Sequence, residues 1–166
     1  MPARNPKEVF VTMLSAEREG TERTTAILQE LSKAAENPEI QQAIEGRVFI
    51  KDQILARLDE VFKLIGEKPV KFSDRLLDVF VEDFRRELTE IQSPEAKRLF
   101  VLAKLSRVVH LRIGGYVLLT AAADLTGNWE VGVLLESCLA DELAFAERTR
   151  RLIRKIVEMK IAARAA

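Results

Sequence analysis

Cysteine, histidine, tryptophan and tyrosine each occur once in the 166 residues, and the formal net charge is zero. A single cysteine excludes an internal disulfide and fits a reducing compartment. One histidine and one cysteine also exclude the usual zinc sites. Because 26 basic residues balance 26 acidic ones, no overall field draws the protein to nucleic acid or to anionic lipid. We therefore expect no nucleic-acid partner.

Five further sequence patterns are missing. No segment alternates apolar and polar residues as a strand does, and no glycine-rich loop follows a strand to bind phosphate. No motif marks a serine or cysteine nucleophile. The start, MPARNPKEVF, lacks the apolar core of a signal peptide, and charges interrupt the apolar runs well short of a bilayer span. These absences predict a cytoplasmic protein with no membrane segment.

What is present is a series of helices with clear start signals. Asn5-Pro6, Asn37-Pro38 and Ser93-Pro94 each place a capping side chain before a proline at the first helical position. Ser73-Asp74 cap a shorter helix after the connector GEKPVKF. The spacing of apolar residues predicts helices over about 6–36, 38–65, 74–91, 94–126 and 129–159.

This order of helices predicts the architecture. Two long helical hairpins, joined by a connection that carries a short helix, are typical of an all-α, ferritin-like four-helix bundle with one crossover. The chain is expected to form one domain over residues 1–166, with a loose tail at 1–4 and a frayed basic end at 160–166. The short helix has an apolar face formed by Leu76, Leu77, Phe80, Phe84 and Leu88.

The central helix is unusually apolar. Phe100 to Leu125 contains only four charges in 26 residues, which predicts a helix buried by neighbours on several sides. Gly114 and Gly115 each cost about 1 kcal/mol relative to alanine inside a helix. Close approach of another helix, within the chain or across a dimer, would explain them, and a local kink is the alternative. Gly20 and Gly46 suggest tight packing within the first hairpin.

Polar residues at mid-helix depth on the inward stripes are the candidates for chemistry. They are Glu17, Thr21, Arg47, His110, Arg112, Asp141 and Glu142. In one interpretation, carboxylates and His110 converge on a metal, as they do in di-iron bundles. In the other, Glu17 or Glu142 pairs with Arg47 or Arg112 in a hydrogen-bonded polar layer, because a buried charge needs a partner.

The number of ligands limits the metal interpretation. A di-iron bundle uses four carboxylates and two histidines in Glu-x-x-His motifs, whereas this chain has only His110, preceded three positions earlier by Arg107. Cys138, between Leu135 and Leu139, is expected to be a buried apolar residue. From Arg148 to the end, seven basic residues face one acid. They suit the negative end of a helix dipole, with a weak anionic-partner surface as the alternative.

Four segments resemble the YciE/YciF family of ferritin-like bacterial stress proteins. They are VFVTMLS at 9–15, LDEVFKLIGEKP at 58–69, VVHLRIGGY at 108–116 and LLESCLADE at 134–142. The resemblance covers roughly residues 7–155. It implies a four-helix ferritin-like bundle with an extra short helix, a homodimer, and a role in responses to osmotic and other stress.

The resemblance also implies that the metal site is degenerate. The first-helix glutamate of such proteins falls on Thr21, and their second-helix His-x-x-Glu falls on Arg47 and Ile50. In the third long helix only His110 is kept. The final helix keeps an acid pair as Asp141-Glu142, while the acid four positions later is Ala146. His110, Asp141 and Glu142 are therefore remnant ligand candidates.

Two functional hypotheses follow. In the first, the protein is a non-catalytic stress-response protein without cofactor, and a core polar cluster replaces the metal. That cluster consists of Glu17, Thr21, Arg47, His110, Arg112 and Glu142. In the second, it is a metal-dependent oxidase or peroxidase that binds iron or manganese through Glu142, Asp141, His110 and Glu17. A scaffold for an unidentified protein partner is a third, weaker alternative.

Overall fold

The computed structural model describes the backbone of residues 5–71 and 75–165, and the side chains of residues 5–71 and 75–159. Three predictions fall outside these residues: the loose tail at 1–4, the Ser73-Asp74 cap, and the side chains of the basic end at 160–166.

The described chain is helical and contains no strand within residues 5–71 and 75–165. A 3-10 turn, Ala123–Thr126, follows the fifth helix. The α-helices of the described residues are α1 Pro6–Ala35, α2 Pro38–Phe49, α3 Lys51–Ile65, α4 Arg75–Glu90, α5 Pro94–Ala122 and α6 Trp129–Ala165.

The capping residues act as predicted. The Asn5 side chain accepts a hydrogen bond from the Glu8 amide at 2.9 Å. Asn37 accepts from the amides of Glu39 and Ile40, both at 3.1 Å. Gly66 ends α3 with a φ of 68°, a left-handed conformation that glycine adopts without strain. The predicted starts of α1 and α2 and the end of α3 are confirmed.

The prediction of one continuous helix over 38–65 is wrong. Ile50 interrupts it with φ −86° and ψ 0°, a sparsely populated backbone region between helix and strand. The regular helix resumes when the Ile54 amide donates to the Ile50 carbonyl at 3.1 Å. The inward stripe continues across the break, with Arg47 buried before it and Ile54 and Leu58 buried after it.

The long helices form a bundle of two hairpins. Helix α5 packs chiefly against α1 and α6, while α2 and α3 pack against both α1 and α6. Helix α4, in the crossover, packs against α5 and forms an ion pair to α1 through Arg85 and Glu30. The predicted all-α bundle with a short crossover helix is confirmed.

Helix α4 buries a narrower face than predicted. Leu77 and Phe84 are buried, and Phe80 and Leu88 pack partly against the same core. Leu76 is 59% exposed, so the apolar face of α4 is wider than the part of it that is buried. Leu76 and Leu77 are adjacent, about 100° apart around a helix, and only one of them can face the bundle centrally.

The apolar core has two parts along the bundle. One contains Leu14, Leu58, Tyr116 and Leu135. The other joins α1 and α2 to α4, α5 and α6 and includes Leu31, Ile44, Phe84, Leu105 and Phe145. Three of the buried charged residues, Arg47, Arg112 and Glu142, come from sequence positions between the two clusters.

Helix α5 is less buried than its composition predicts. With the 3-10 turn it spans Pro94–Thr126, which among the described residues is the helix long and apolar enough to cross a membrane by length and composition. Only 33% of its most apolar window is buried. Leu111, Val117 and Leu118 are exposed. The expectation that neighbours within the chain cover this helix on several sides is wrong for its outer face.

Candidate functional site: a buried layer of ion pairs

The bundle centre contains a buried ion pair between α2 and α6. Arg47 Nη2 donates to Glu142 Oε1, and Arg47 Nε donates to Glu142 Oε2 at 3.3 Å. The two side chains are 2% and 1% exposed. This two-point contact uses the planar fork of the guanidinium, a geometry that lysine cannot provide. It joins the first hairpin to the second.

A second arginine joins α5 to α1. Arg112 Nη1 lies 2.5 Å from Glu17 Oε2. Its Nη2 donates to Thr21 Oγ1 at 2.5 Å and to the Glu17 carbonyl oxygen at 2.8 Å. Arg112 Nε is 4.0 Å from Glu142 Oε1, so the two ion pairs belong to one layer with two positive and two negative side chains.

Two glycines provide the space for this layer. A Cβ at Gly115 would lie 1.7 Å from Glu17 Oε1, and a Cβ at Gly20 would lie 2.4 Å from Arg112 Nη1. Gly46 has Arg148 Nη1 at 3.0 Å from the corresponding position. The buried side chains of Arg112 and Glu17, rather than the backbone of a close helix, therefore account for Gly20 and Gly115. Gly114 differs, because a Cβ there would meet nothing within 4 Å.

The surroundings hold Arg112 in its charged form. Burial lowers the pKa of a guanidinium, but the nearby carboxylates of Glu17 and Glu142 and the Tyr116 hydroxyl outweigh it, so the pKa of Arg112 is raised. Burial raises the pKa of Tyr116 as well. The Tyr116 hydroxyl accepts from Arg112 Nη2 at 3.3 Å. Arg112 is consequently charged at neutral pH, and Tyr116 is a neutral member of the layer.

Asp141 lies outside the layer. Its carboxylate pairs with Arg57 Nη1 at 2.5 Å, and both side chains are partly exposed. Cys138, one turn earlier on α6, is fully buried. Burial raises the pKa of the Cys138 thiol to about 11, although Arg57 opposes that shift. The thiol is therefore protonated and unreactive at neutral pH.

His110 does not belong to the core polar cluster, and its placement there is corrected. The ring is exposed, and Nδ1 hydrogen-bonds the Ser106 carbonyl at 2.8 Å within its own helix. Arg112 follows two residues later, about 200° around a helix, so the two side chains cannot both face the bundle axis. The structure brings together Glu17, Thr21, Arg47, Arg112 and Glu142, and leaves His110 and Asp141 apart.

The donor set does not converge as a metal site requires. Among residues with described positions, no three or more histidine, cysteine, aspartate or glutamate side chains are grouped to hold an ion. Glu17 and Glu142 each face a guanidinium, and that positive charge opposes the approach of a cation. The residues present therefore do not fit a di-iron or manganese centre.

Three residues whose polar groups are buried or paired were not assigned to a site from the sequence. Tyr116 completes the layer, and Arg57 neutralises Asp141. Lys104 is 4% exposed, pairs with Glu87 at 2.8 Å and lies over the rings of Phe80 and Phe100. A lysine between Val101 and Leu105 was the available signal, since it follows the inward stripe of α5.

Removing one member of the Arg47–Glu142 pair should lower the free energy of unfolding far more than removing both. Glu142→Leu leaves a buried guanidinium without its carboxylate, and we expect the free energy of unfolding to fall by about 3–5 kcal/mol. The double variant Arg47→Met/Glu142→Leu should recover most of it, because both charges leave the core. Urea unfolding measures each free energy. Arg85→Met, in the exposed Glu30–Arg85 pair, is the control and should change little. A double variant as unstable as the single one would contradict the pairing.

Gly115→Ala should destabilise the fold by about 1–3 kcal/mol, because the new methyl group displaces the Glu17 carboxylate from Arg112. Gly132→Ala is the matched control, since its Cβ would meet only Ala123 Cβ at 3.8 Å; we expect stabilisation of up to about 1 kcal/mol there. Thermal and urea unfolding report both. In a Glu17→Ala background the cost of Gly115→Ala should disappear. Persistence of the full cost there would refute this explanation of Gly115.

Stability should fall as the pH rises from 9.0 towards about 11, the ordinary and the folded pKa values of the Cys138 thiol. In that interval the unfolded chain releases the thiol proton and the folded chain retains it, which favours unfolding. Below pH 9.0 both states are protonated and the thiol contributes no slope. The difference in urea midpoint between wild type and Cys138→Ala isolates this effect. A difference that does not change with pH would contradict it.

The comparisons with known proteins agree on the fold. The E. coli stress protein YciF superimposes with a TM-score of 0.87 at 20% identity, over 94% of this chain and 99% of that one. YcfI from Rhodopseudomonas palustris, described as a candidate structural protein, gives 0.83 at 21% identity, over 89% and 94%. A Xanthomonas campestris protein gives 0.72 at 18% identity, over 97% and 99%.

At these identities the likeness establishes the fold alone. No curated protein is significantly similar to the chain in sequence. The sequence profile of a family described as a domain of unknown function, DUF892, matches residues 5–162, nearly the whole chain. The chain therefore belongs to this YciF-like family, DUF892.

Proposed function

We propose that this chain is a non-catalytic, ferritin-like stress-response protein whose bundle centre is closed by ion pairs instead of a metal. The observation that supports it is the pairing of each central carboxylate with a guanidinium: Glu142 with Arg47, and Glu17 with Arg112. A catalytic metal needs carboxylates that are available as ligands and at least one open coordination position. Here the carboxylates neutralise buried arginines.

The stress-response part rests on the family and on the resemblance to a stress protein. In this proposal the protein is cytoplasmic and forms a homodimer, and it acts through its surface, with neither nucleic acid nor a membrane as its partner. Any further protein partner would also bind the outside of the bundle. The ion-pair layer then serves to fix which helices meet, a role that buried charged residues fill in other helical assemblies.

The alternative function, a metal-dependent oxidase or peroxidase, has less support. It needs Glu142, Asp141, His110 and Glu17 to converge. Asp141 is paired with Arg57, and His110 bonds its own helix on the surface. A measurement distinguishes the two proposed functions. An oxidase or peroxidase would turn over peroxide or oxygen in a metal-dependent manner, and Glu142→Ala would abolish that turnover.

Metal analysis of untagged protein tests the proposal directly. We expect protein purified without chelators from cells supplied with iron and manganese to retain far less than one metal ion per chain. Arg47→His is the comparison variant: it removes a guanidinium and puts an imidazole beside Glu142, so it should retain more metal than wild type. Stoichiometric iron or manganese in the wild-type protein, or peroxide turnover lost in Glu142→Ala, would overturn the proposal.

A further inference from the structure

A cleft of about 410 Å³ opens between α1, the first turn of α4, and α5. Its apolar walls include Met13 from α1, Leu76 from α4 and Leu111 from α5. Leu76 and Leu111 are 59% and 39% exposed, so the cleft is lined in part by leucines that the bundle core does not bury. Small-molecule sites in proteins have volumes of about 300–1,000 Å³. The cleft is therefore large enough for a ligand with one or two rings.

The cleft reaches the buried ion-pair layer at Glu17. Glu17 and Arg112 both line it. The Glu17 side chain is 12% exposed, whereas those of Arg112 and Glu142 are 4% and 1% exposed. A carboxylate has about four acceptor positions, more than its ion pair with one guanidinium uses. Glu17 therefore offers a hydrogen-bond acceptor to a ligand in the cleft.

His110 offers a second acceptor, and its ring is exposed. Its Nδ1 lies 2.8 Å from the Ser106 carbonyl oxygen. Because a carbonyl oxygen only accepts, Nδ1 carries the proton in this contact. In the neutral imidazole, Nε2 is then the acceptor nitrogen. Glu17 and His110 therefore both favour a ligand with hydrogen-bond donors.

The charges at the cleft select against an ionic ligand. The carboxylate of Glu17 and the guanidinium of Arg112 already neutralise each other. A cation would be repelled by Arg112, and an anion would be repelled by Glu17. Either ion would also lose hydration on entering the cleft. The ligand that fits is therefore neutral.

The glycine pair of α5 indicates the shape of the ligand. Gly114 and Gly115 both line the cleft. Glu17 explains Gly115, but a Cβ at Gly114 would meet nothing within 4 Å, so the fold of the chain does not require glycine there. Without side chains, the pair leaves helix backbone open to close approach by a flat ring. The Met13 thioether in the same cleft also suits contact with an aromatic ring.

We propose that this cleft binds a small, neutral aromatic molecule with a hydroxyl group at each end, such as a two-ring diphenol. One hydroxyl donates to Glu17 and the other to His110 Nε2, while the rings lie against Gly114. The apolar walls bury the rings, and the two acceptors fix the orientation, as is usual in ligand sites. The inference adds ligand binding to the proposed function and does not depend on a role in the stress response.

Calorimetric titration of the full chain tests the proposal. The probe is the dihydroxynaphthalene whose hydroxyls lie at opposite ends of the ring system, and we expect saturable binding to a single site per chain. Its dimethyl ether has the same rings and no donor. The ether should bind at least about tenfold more weakly, because the hydrogen bond to a charged acceptor is lost.

Three variants locate the site. Gly114→Leu puts a side chain into the cleft and should abolish saturable binding. The leucine has open space within the chain, so circular dichroism and thermal unfolding should show an intact fold. Ala140→Leu makes a similar change on the exposed face of α6 and should bind as wild type does. His110→Phe keeps a ring but removes the acceptor. It should weaken binding of the diol about 2- to 10-fold and leave binding of the ether unchanged.

The opposite results are equally clear. A wild-type chain that shows no saturable binding up to the solubility limit of the diol would overturn the proposal. Equal binding by Gly114→Leu and Ala140→Leu would also overturn it, because the site would then lie elsewhere. An ether that binds as tightly as the diol would overturn the ligand class, since Glu17 and His110 would then contribute no hydrogen bonds.

Discussion

The pairing of two arginines with two glutamates at the bundle centre is the constraint on which the rest of the structure depends. Burying four charges is costly, since each ion loses several kcal/mol of hydration. The cost is met only when each guanidinium finds its carboxylate with good geometry. Arg47 reaches Glu142 with two nitrogens, and Arg112 reaches both the carboxylate and the backbone of Glu17. A shift of one helix by a turn would separate these partners, so the layer disfavours other registers that an all-apolar core would tolerate.

This constraint extends to residues that carry no charge. Gly20 and Gly115 lack the methyl groups that would collide with Arg112 and Glu17, and Thr21 supplies a hydroxyl instead of a longer side chain. Tyr116 fills the space beside the guanidinium and accepts one of its hydrogen bonds. The side chains around the two arginines therefore depend on one another. They form a consistent set in which small residues, a hydroxyl and a phenol accommodate two large cations.

Much of this arrangement could be predicted from the sequence, because helix starts and inward stripes depend on local spacing. The capping residues Asn5 and Asn37 fix the first hairpin, and the stripes place Glu17, Arg47 and Glu142 inward. The sequence does not decide which arginine meets which glutamate, since that depends on how the hairpins dock. The interruption at Ile50 carries no local glycine or proline signal. His110 was misplaced because Arg112 uses the inward direction of α5, and rotation by two residues turns His110 to the surface.

The composition of α5 has two separate causes, and hydropathy alone cannot distinguish them. Its inward face is apolar because it crosses the core, where Leu105, Val109 and Leu119 are buried. Its outward face carries no formal charge between Leu111 and Ala121 and yet is exposed. A solvated face normally carries charges that keep a protein monomeric and soluble. Helix propensity does not explain the glycine on this face either, because alanine or lysine at position 114 would stabilise the helix more than glycine does. Burial within the chain therefore explains the apolar residues of the inward face of α5 and not those of its outer face.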